Sequence, residues 1–171
     1  MPIKIYYPKK KNSKSIANTV LFTDDKFSTN NLKKYISNSE FSYINDLLKT
    51  SDLKKNLLVF EVTSKKKIVL ISIKDNIKSS DIENLGAEFY GRINYGKNSE
   101  YDIISDSVKS KYDNFLGHLL HGLKLKSYEF KKYKTKKETR LISINVLGNK
   151  NKPTAQNQLK FKALEEGTFY A

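Results

Sequence analysis

Two segments near the middle of the chain, residues 57–62 (LLVFEV) and 68–73 (IVLISI), are almost continuously apolar and rich in β-branched residues. Runs of this kind are typical of strands that are buried on both faces of a sheet. The lysines at residues 65–67 lie between the two runs and predict a hairpin tip, although no Asn-Gly or Asp-Gly pair specifies the turn type.

Further segments with the composition of strands lie on both sides of this hairpin. They are residues 3–7, 16–23, 101–105, 128–133 and 141–147. Pro8 ends the first of them, because proline cannot donate to the hydrogen-bond ladder of a sheet. Asp24 and Asp25 close the second.

Apolar residues three and four positions apart predict a helix over residues 39–49 and a second helix that opens at Ser80. Ser80 and Glu83 have the spacing of a capping box, in which each side chain bonds the backbone of the other residue. The two glycines of this helix, Gly86 and Gly91, are expected to allow a close approach to the sheet. Its apolar face contains Ile82, Leu85, Phe89 and Ile93.

Two further helices are predicted in the second half of the chain. One covers residues 114–125, and its broad apolar face contains Phe115, Leu116, Leu119, Leu120 and Leu123. The other starts at Thr154, just after Pro153, with three residues expected to face inward: Leu159, Ala163 and Leu164. Strands and helices alternate along most of the 171 residues, which predicts one α/β domain with helices on both faces of a sheet.

The net charge of +14 favours an anionic partner, but the kind of cation weakens that interpretation. Arg92 and Arg140 are the only arginines, and the other 30 basic residues are lysines spread along the whole chain. Lysine-rich, asparagine-rich and isoleucine-rich composition is what A+T-rich codons encode. We therefore interpret most of these lysines as solvated surface residues.

The sequence contains no cysteine, so it predicts neither disulfides nor thiolate metal sites. The first residues lack the apolar run of a signal peptide, and no stretch reaches the roughly 20 apolar residues of a membrane span. We expect a soluble cytoplasmic protein.

His118 and His121 are the only histidines, and both lie on one predicted helix. A zinc-binding HExxH motif needs a spacing of four and an intervening glutamate, and neither is present. Two partly buried helix histidines are the preferred interpretation.

Acidic residues occur in the pairs Asp24-Asp25, Asp102/Asp106 and Glu165-Glu166. Side chains of adjacent residues point in different directions, so such pairs rarely form one site. We predict no catalytic, cofactor-binding or metal-binding residue in this chain.

The segment KSYEFKKYKTKKE (residues 126–138) combines six lysines with three aromatic residues. It has the composition of a nucleic-acid-binding surface. If it is a strand, Tyr128 and Phe130 share one face and Tyr133 lies on the other, which argues against a single stacking surface.

Two segments of the sequence resemble the leucyl (cytosol) aminopeptidases of the M17 metallopeptidase family. Residues 122–138 are similar to the stretch where a family helix ends and a Tyr-x-Phe-x-x-Tyr-Lys-x-Lys pattern begins a strand, and residues 163–171 (ALEEGTFYA) are similar to the helix that connects the two family domains. Residues 81–93 are weakly compatible with a further family helix. The matching pattern residues are Tyr128, Phe130, Tyr133, Lys134 and Lys136.

The resemblance implies an N-terminal, non-catalytic domain with a macro-domain-like layered fold: a mixed, mostly parallel sheet flanked by helices. It implies that a C-terminal catalytic domain carries two divalent metals, Zn or Mn, and cleaves N-terminal residues from peptides within a homohexamer. The apolar end Phe169-Tyr170-Ala171 has no stop signal, and we expect the natural chain to continue. The alternative is a macro-like module that binds nucleic acid or a nucleotide.

Overall fold

The computed structural model of the chain describes residues 3–11, 16–94, 98–133 and 141–169, and for residues 129–133 it describes the backbone alone. The strands are β1 (Ile3–Tyr6), β2 (Asn18–Asp24), β3 (Leu57–Glu61), β4 (Lys67–Ile73), β5 (Glu100–Ile104) and β6 (Ile142–Leu147). The helices are α1 (Asn38–Leu48), α2 (Ser79–Ile93), α3 (Phe115–Tyr133) and α4 (Ala155–Phe169). Short 3₁₀ turns occupy Asn30–Leu32 and Ser105–Ser107.

The strands form one six-stranded sheet in the order β1-β6-β5-β2-β4-β3. Every neighbouring pair is parallel except β3 and β4, which form the predicted hairpin. At its tip the backbone N–H groups of Val62 and Thr63 both donate to the carbonyl of Lys66, at 3.1 and 3.2 Å. The expectation of a mixed, mostly parallel sheet flanked by helices is confirmed.

The two faces of the sheet pack against different helices, as the alternation of buried residues along β2 shows. Val20 and Phe22 point to the face covered by α2 and α3, whereas Leu21 points to the face covered by α1. All three side chains are almost fully buried. Burial on both faces explains why the central strands read as continuous apolar runs.

Helices α2 and α3 pack at very short range, and two glycines make this possible. A Cβ atom on Gly86 would collide with the backbone of Leu119 and Leu123, and one on Gly122 would collide with the backbone of Glu83. The prediction that Gly86 serves an approach to the sheet is therefore wrong, since it serves an approach to α3. The prediction is also wrong for Gly91, because no neighbouring atom lies within 4 Å of such a Cβ atom there.

The start of α2 also differs from the predicted capping box. The helix begins at Ser79, so Ser80 lies inside the first turn, and the carboxylate of Asp81 accepts from the backbone N–H of Lys78 at 3.1 Å. A capping box does occur at the start of α1, where Ser37 and Glu40 bond each other's backbone N–H groups at 3.2 Å.

Helix α3 is longer than predicted. Its apolar face is buried as expected, but the helix continues to Tyr133, so the predicted strand over residues 128–133 is wrong. Residues 124–133 contain no glycine or proline. Ser127 extends the buried face by one turn, and its hydroxyl donates to the carbonyl of Lys124 at 2.7 Å. Residues 134–138 of the lysine-rich segment lie outside the described residues.

Helix α4 begins at the predicted place but presents a different face to the domain. Leu159 and Leu164 are 67% and 51% exposed, and Ala163 is exposed as well, so the prediction that these residues face inward is wrong. Phe161 and Glu165, one turn apart, are buried instead. The side chains of α3 determine which face of α4 is buried. The apolar pattern of α4 alone carries no information about them.

None of the helices formed by the described residues is long and apolar enough to cross a membrane.

Candidate functional site

The two candidate histidines lie one turn apart on α3 and bond carboxylates on different helices. Nδ1 of His118 lies 3.1 Å from Oε1 of Glu83 on α2, and Nδ1 of His121 lies 3.1 Å from Oε1 of Glu165 on α4. An ionised carboxylate only accepts hydrogen bonds, so each Nδ1 carries a proton. Within the part of the chain that the structure describes, no three histidine or acidic side chains are grouped as metal ligands.

The ring of Phe161 packs against both histidines. Its centroid lies 5.0 Å from that of His118 and 4.9 Å from that of His121. These contacts, together with the two carboxylate bonds, fix the orientation of both imidazole rings. The histidines therefore organise the contact of α3 with α4.

Glu165 is the most deeply buried charged side chain of this contact, at 3% exposure. Its second carboxylate oxygen, Oε2, accepts from Nζ of Lys124 at 3.1 Å, so both oxygens have a partner. Burying a carboxylate is costly unless it is paired and hydrogen-bonded. Lys124 and His121 meet this requirement, whereas the adjacent Glu166 is exposed.

Tyr7, just after β1, lies beside this cluster. Burial, and in second place the negative charge of Glu165, raises the pKa of Tyr7 to about 12. The hydroxyl therefore keeps its proton at neutral pH and acts as a hydrogen-bond donor.

These groups open onto a cavity of about 420 Å³ between β1, α3 and α4. Its walls combine aliphatic and aromatic side chains with the polar cluster of Tyr7, His121, Lys124 and Glu165. The apolar lining residues are Ile3, Ile5, Leu120, Pro153, Phe161 and Phe169, and further polar groups come from Gln158, Lys162 and Glu166. An apolar cavity with a few convergent polar groups is the usual form of a small-molecule site.

Asp24, of the first acidic pair, serves a turn. Its Oδ1 accepts from the backbone N–H groups of Lys26 and Ser28, both at 3.0 Å. Slight burial raises its pKa, but these hydrogen bonds outweigh that effect and leave the pKa of Asp24 below its usual value. The carboxylate therefore stabilises the turn that follows β2.

The acidic residues Asp102 and Asp106 are also engaged by neighbouring groups. Asp102 is buried in β5 and accepts from the side-chain amide of Asn145 on β6 at 3.0 Å. Asp106 accepts from the backbone N–H groups of Asn149 and Lys150 at 2.9 and 2.7 Å, which joins the loops after β5 and β6. The two carboxylates therefore connect β5 to β6 and the loops that follow these strands.

The cluster of His121, Lys124, Glu165 and Tyr7 is not evident from the sequence. The signal present in the sequence is partial: His118, His121 and Lys124 recur every third residue on one helix, and Phe161 and Glu165 are one turn apart on another. Which helices meet is a long-range property, so this spacing could not reveal the cluster.

No protein-family profile matches the sequence, and no curated protein matches it. Solved structures do match. A leucine aminopeptidase mutant from tomato aligns with 95% of this chain at 14% identity and a TM-score of 0.62. A cytosol aminopeptidase from Coxiella burnetii aligns with 96% of it at 11% identity and a TM-score of 0.55.

The matched region is a minor part of each aminopeptidase. This chain covers 35% of the tomato structure and 31% of the Coxiella burnetii structure, so it spans about a third of their length. Nearly the whole chain therefore has the fold of a portion of a leucine or cytosol aminopeptidase, which confirms the expected resemblance at the level of the fold.

Proposed function

We propose that this chain is the non-catalytic N-terminal domain of a two-metal leucyl aminopeptidase that removes N-terminal residues from peptides. The observation that carries the proposal is the extent of the fold likeness: 95% of the chain aligns with 35% of a leucine aminopeptidase. This coverage supports the assignment of the chain to one domain of such an enzyme. The other two thirds would supply the catalytic chemistry.

The two segments that resemble the aminopeptidases, residues 122–138 and 163–171, contact each other, and this contact supports the proposal. Tyr128, from the first segment, stacks on Phe169, from the second, with ring centroids 4.3 Å apart. The Tyr128 hydroxyl also donates to the backbone carbonyl of Phe169 at 2.7 Å. The contact attaches the end of α4 to α3, and in the proposed enzyme α4 leads into the catalytic domain.

The proposed division of labour assigns no catalytic, cofactor-binding or metal-binding role to any residue of this chain. Two divalent metals, Zn or Mn, would belong to the catalytic domain, where metal-activated water attacks the peptide bond. This domain would orient α4 and take part in a cytoplasmic homohexamer. Nothing in the fold likeness supports the alternative of a nucleic-acid-binding or nucleotide-binding module.

A peptidase assay tests the proposal. The 171-residue chain and the product of the reading frame extended to its natural stop codon are each incubated with leucine p-nitroanilide and Mn²⁺ or Zn²⁺. The extended product is expected to release nitroaniline and the 171-residue chain is not. Metal-dependent turnover by the 171-residue chain, or none by a folded extended product, would contradict the proposal.

A further inference from the structure

Helix α4 exposes most of its apolar side chains. Of its 15 residues, only Phe161 and Glu165 are buried. Leu159 is 67% exposed, more than any other large apolar side chain that the structure describes, and Leu164 is 51% exposed. Ala163 lies next to them on the helix and is exposed as well.

The exposed residues lie on the side of α4 that faces away from the domain. Successive residues of an α-helix are about 100° apart around its axis, so Leu159 and Ala163 each lie about 160° from Phe161. Gly167 continues their row at the next fourth residue, and a Cβ atom there would meet nothing within 4 Å. The packing of α4 on α3 therefore leaves this side uncovered.

The amino-acid pattern of this side is that of a buried helix face. The apolar spacing of Leu159, Ala163 and Leu164 alone predicts that they face inward, and the domain does not cover them. Single leucines on a protein surface are common. Two leucines on one side of one helix, with an alanine between them, instead form a continuous apolar strip of the kind that another protein surface covers.

We propose that the side of α4 that carries Leu159, Ala163 and Leu164 packs against the catalytic domain that follows α4 in the same polypeptide. This inference rests on the proposed function and adds the surface through which the two domains meet. The leucines would be buried at the contact. Ala163 and Gly167 would let the backbone of the catalytic domain approach α4 closely.

The position of the strip in the chain favours this occupant. Helix α4 is the last element, and Leu164 and Leu159 precede its final residue, Phe169, by five and ten residues. At 1.5 Å per residue, the leucines lie about 7.5 and about 15 Å from the end of the helix. In the proposed enzyme the catalytic domain starts from this end, and about two thirds of the length of the matched aminopeptidases lies outside the aligned region.

A second copy of the chain is a less suitable occupant. Covalent attachment gives a following domain a high effective concentration at this surface, whereas a second copy has to bind from dilute solution. Lys160 also lies between the two leucines on the outward side and is exposed. A partly polar surface is usual for contacts between domains of one chain, whereas permanent dimers have more apolar interfaces.

Thiol labelling tests the proposal, because the 171-residue chain has no cysteine of its own. Ala163→Cys places a reporter next to the two leucines, and Ser42→Cys places a control on α1, where Ser42 is exposed. Each change is made in the 171-residue chain and in the extended product. Modification by iodoacetamide is followed by mass spectrometry of the peptide that contains the new cysteine.

Labelling at residue 163 is expected to be at least about tenfold slower in the extended product than in the 171-residue chain. A tenfold reduction corresponds to a surface that is covered about 90% of the time. Labelling at residue 42 is expected to proceed at the same rate in both products. Equal rates at residue 163 in the two products would overturn the proposal.

A pair of matched leucine variants tests the assigned contact. In the extended product with the Ala163→Cys reporter, Leu159→Gln is expected to return labelling towards the rate of the 171-residue chain. Leu53→Gln changes a leucine outside α4 that is 43% exposed, and it is expected to leave the reporter protected. In the 171-residue chain, both variants should keep the thermal midpoint of the parent, since both side chains are largely exposed. The same labelling rate in the two variants would overturn the proposal.

Two further results identify which claim has failed. Protection of residue 163 in the 171-residue chain that grows with protein concentration would assign the surface to a second copy and overturn the proposal. An extended product with peptidase activity but an unprotected residue 163 would contradict this inference alone, and an inactive one with a protected residue 163 would contradict the proposed function alone. A reading frame that stops directly after Ala171 would contradict both.

Discussion

Helix α3 packs against α2 on one side and against α4 on the other, and the two contacts are built differently. The contact with α2 depends on glycine: Gly86 and Gly122 bring the two backbones together. The contact with α4 depends on a buried polar cluster around Glu165 and on Phe161. The first tolerates almost no added volume, whereas the second is sensitive to a change of charge.

The difference indicates distinct roles for the two helices. Helix α2 belongs to the core of the domain, with six buried residues in its 15 positions. Helix α4 buries only Phe161 and Glu165 among its described side chains, so it is attached along one narrow stripe. An attached helix of this kind can be loosened without unfolding the sheet, and substitutions should separate the two contacts.

The largest effect is expected from Gly86→Ala. The added methyl group collides with the backbone of α3, which cannot move aside as a side chain can. We expect a loss of roughly 3 kcal/mol in the free energy of unfolding. Gly91→Ala, in the same helix with open space around it, is expected to stabilise by about 0.5 kcal/mol. Urea denaturation measures both values, and a loss of the same size in both variants would contradict the close α2–α3 contact.

Glu165→Ala tests the polar contact. It leaves His121 without its acceptor, and we expect a cost of about 2 kcal/mol, moderated because the Lys124 side chain is 26% exposed and can be hydrated. Hydrogen exchange should show that α4 loses protection while α2 and α3 keep theirs. Glu166→Ala is the control and should change little. Loss of protection throughout the domain would mean that α4 is not separately attached.

A smaller effect is expected where α4 ends against α3. Tyr128→Phe keeps the ring stacked on Phe169 and removes the hydrogen bond to its carbonyl, at a cost of about 1 kcal/mol. Tyr43→Phe on α1 removes a hydroxyl from a side chain that is 45% exposed, and it is the control. Thermal denaturation of the two variants compares them, and identical midpoints would remove the Tyr128 hydroxyl from the account.

The last effect is confined to alkaline pH. The pKa of Tyr7 is about 12 in the folded chain and 10.0 for an unperturbed tyrosine. Because the folded value is the higher one, the contribution of Tyr7 is fully present below pH 10 and is lost as the pH rises through 12. The free energy of unfolding of the parent chain should fall more steeply over this interval than that of Tyr7→Phe. Parallel curves would contradict the burial of Tyr7 beside Glu165.

The sheet and the α3 face were predictable because local patterns carry them. The apolar runs of β3 and β4, and the five apolar residues of α3, are each readable within one segment. Where α3 ends was not predictable, since Tyr128 and Phe130 alternate as strand residues do while also continuing a helix without a breaker. The structure has an uninterrupted helix with Ser127 buried, so the alternation of the aromatic residues did not indicate a strand.

The candidate site was much less predictable than the fold. Glu165 was read as half of an acidic pair with Glu166, because its partners His121 and Lys124 are more than 40 residues away in sequence. The inward face of α4 was predicted wrongly for the same reason. Two leucines that are exposed in the structure were expected to be buried in place of Phe161, because the apolar pattern of α4 takes no account of α3. Contacts between distant helices decide both features.

The sequence of the reading frame beyond the codon for Ala171 tests the central claim most directly. In the aminopeptidase family that this chain resembles, the connecting helix is followed by an Arg-Asp-Leu segment, and the catalytic domain contains an Asn-Thr-Asp-Ala-Glu-Gly-Arg-like segment. If the chain is the N-terminal domain of such an enzyme, the frame continues with both segments in that order. A stop codon directly after Ala171, or a long continuation without either segment, would contradict the claim.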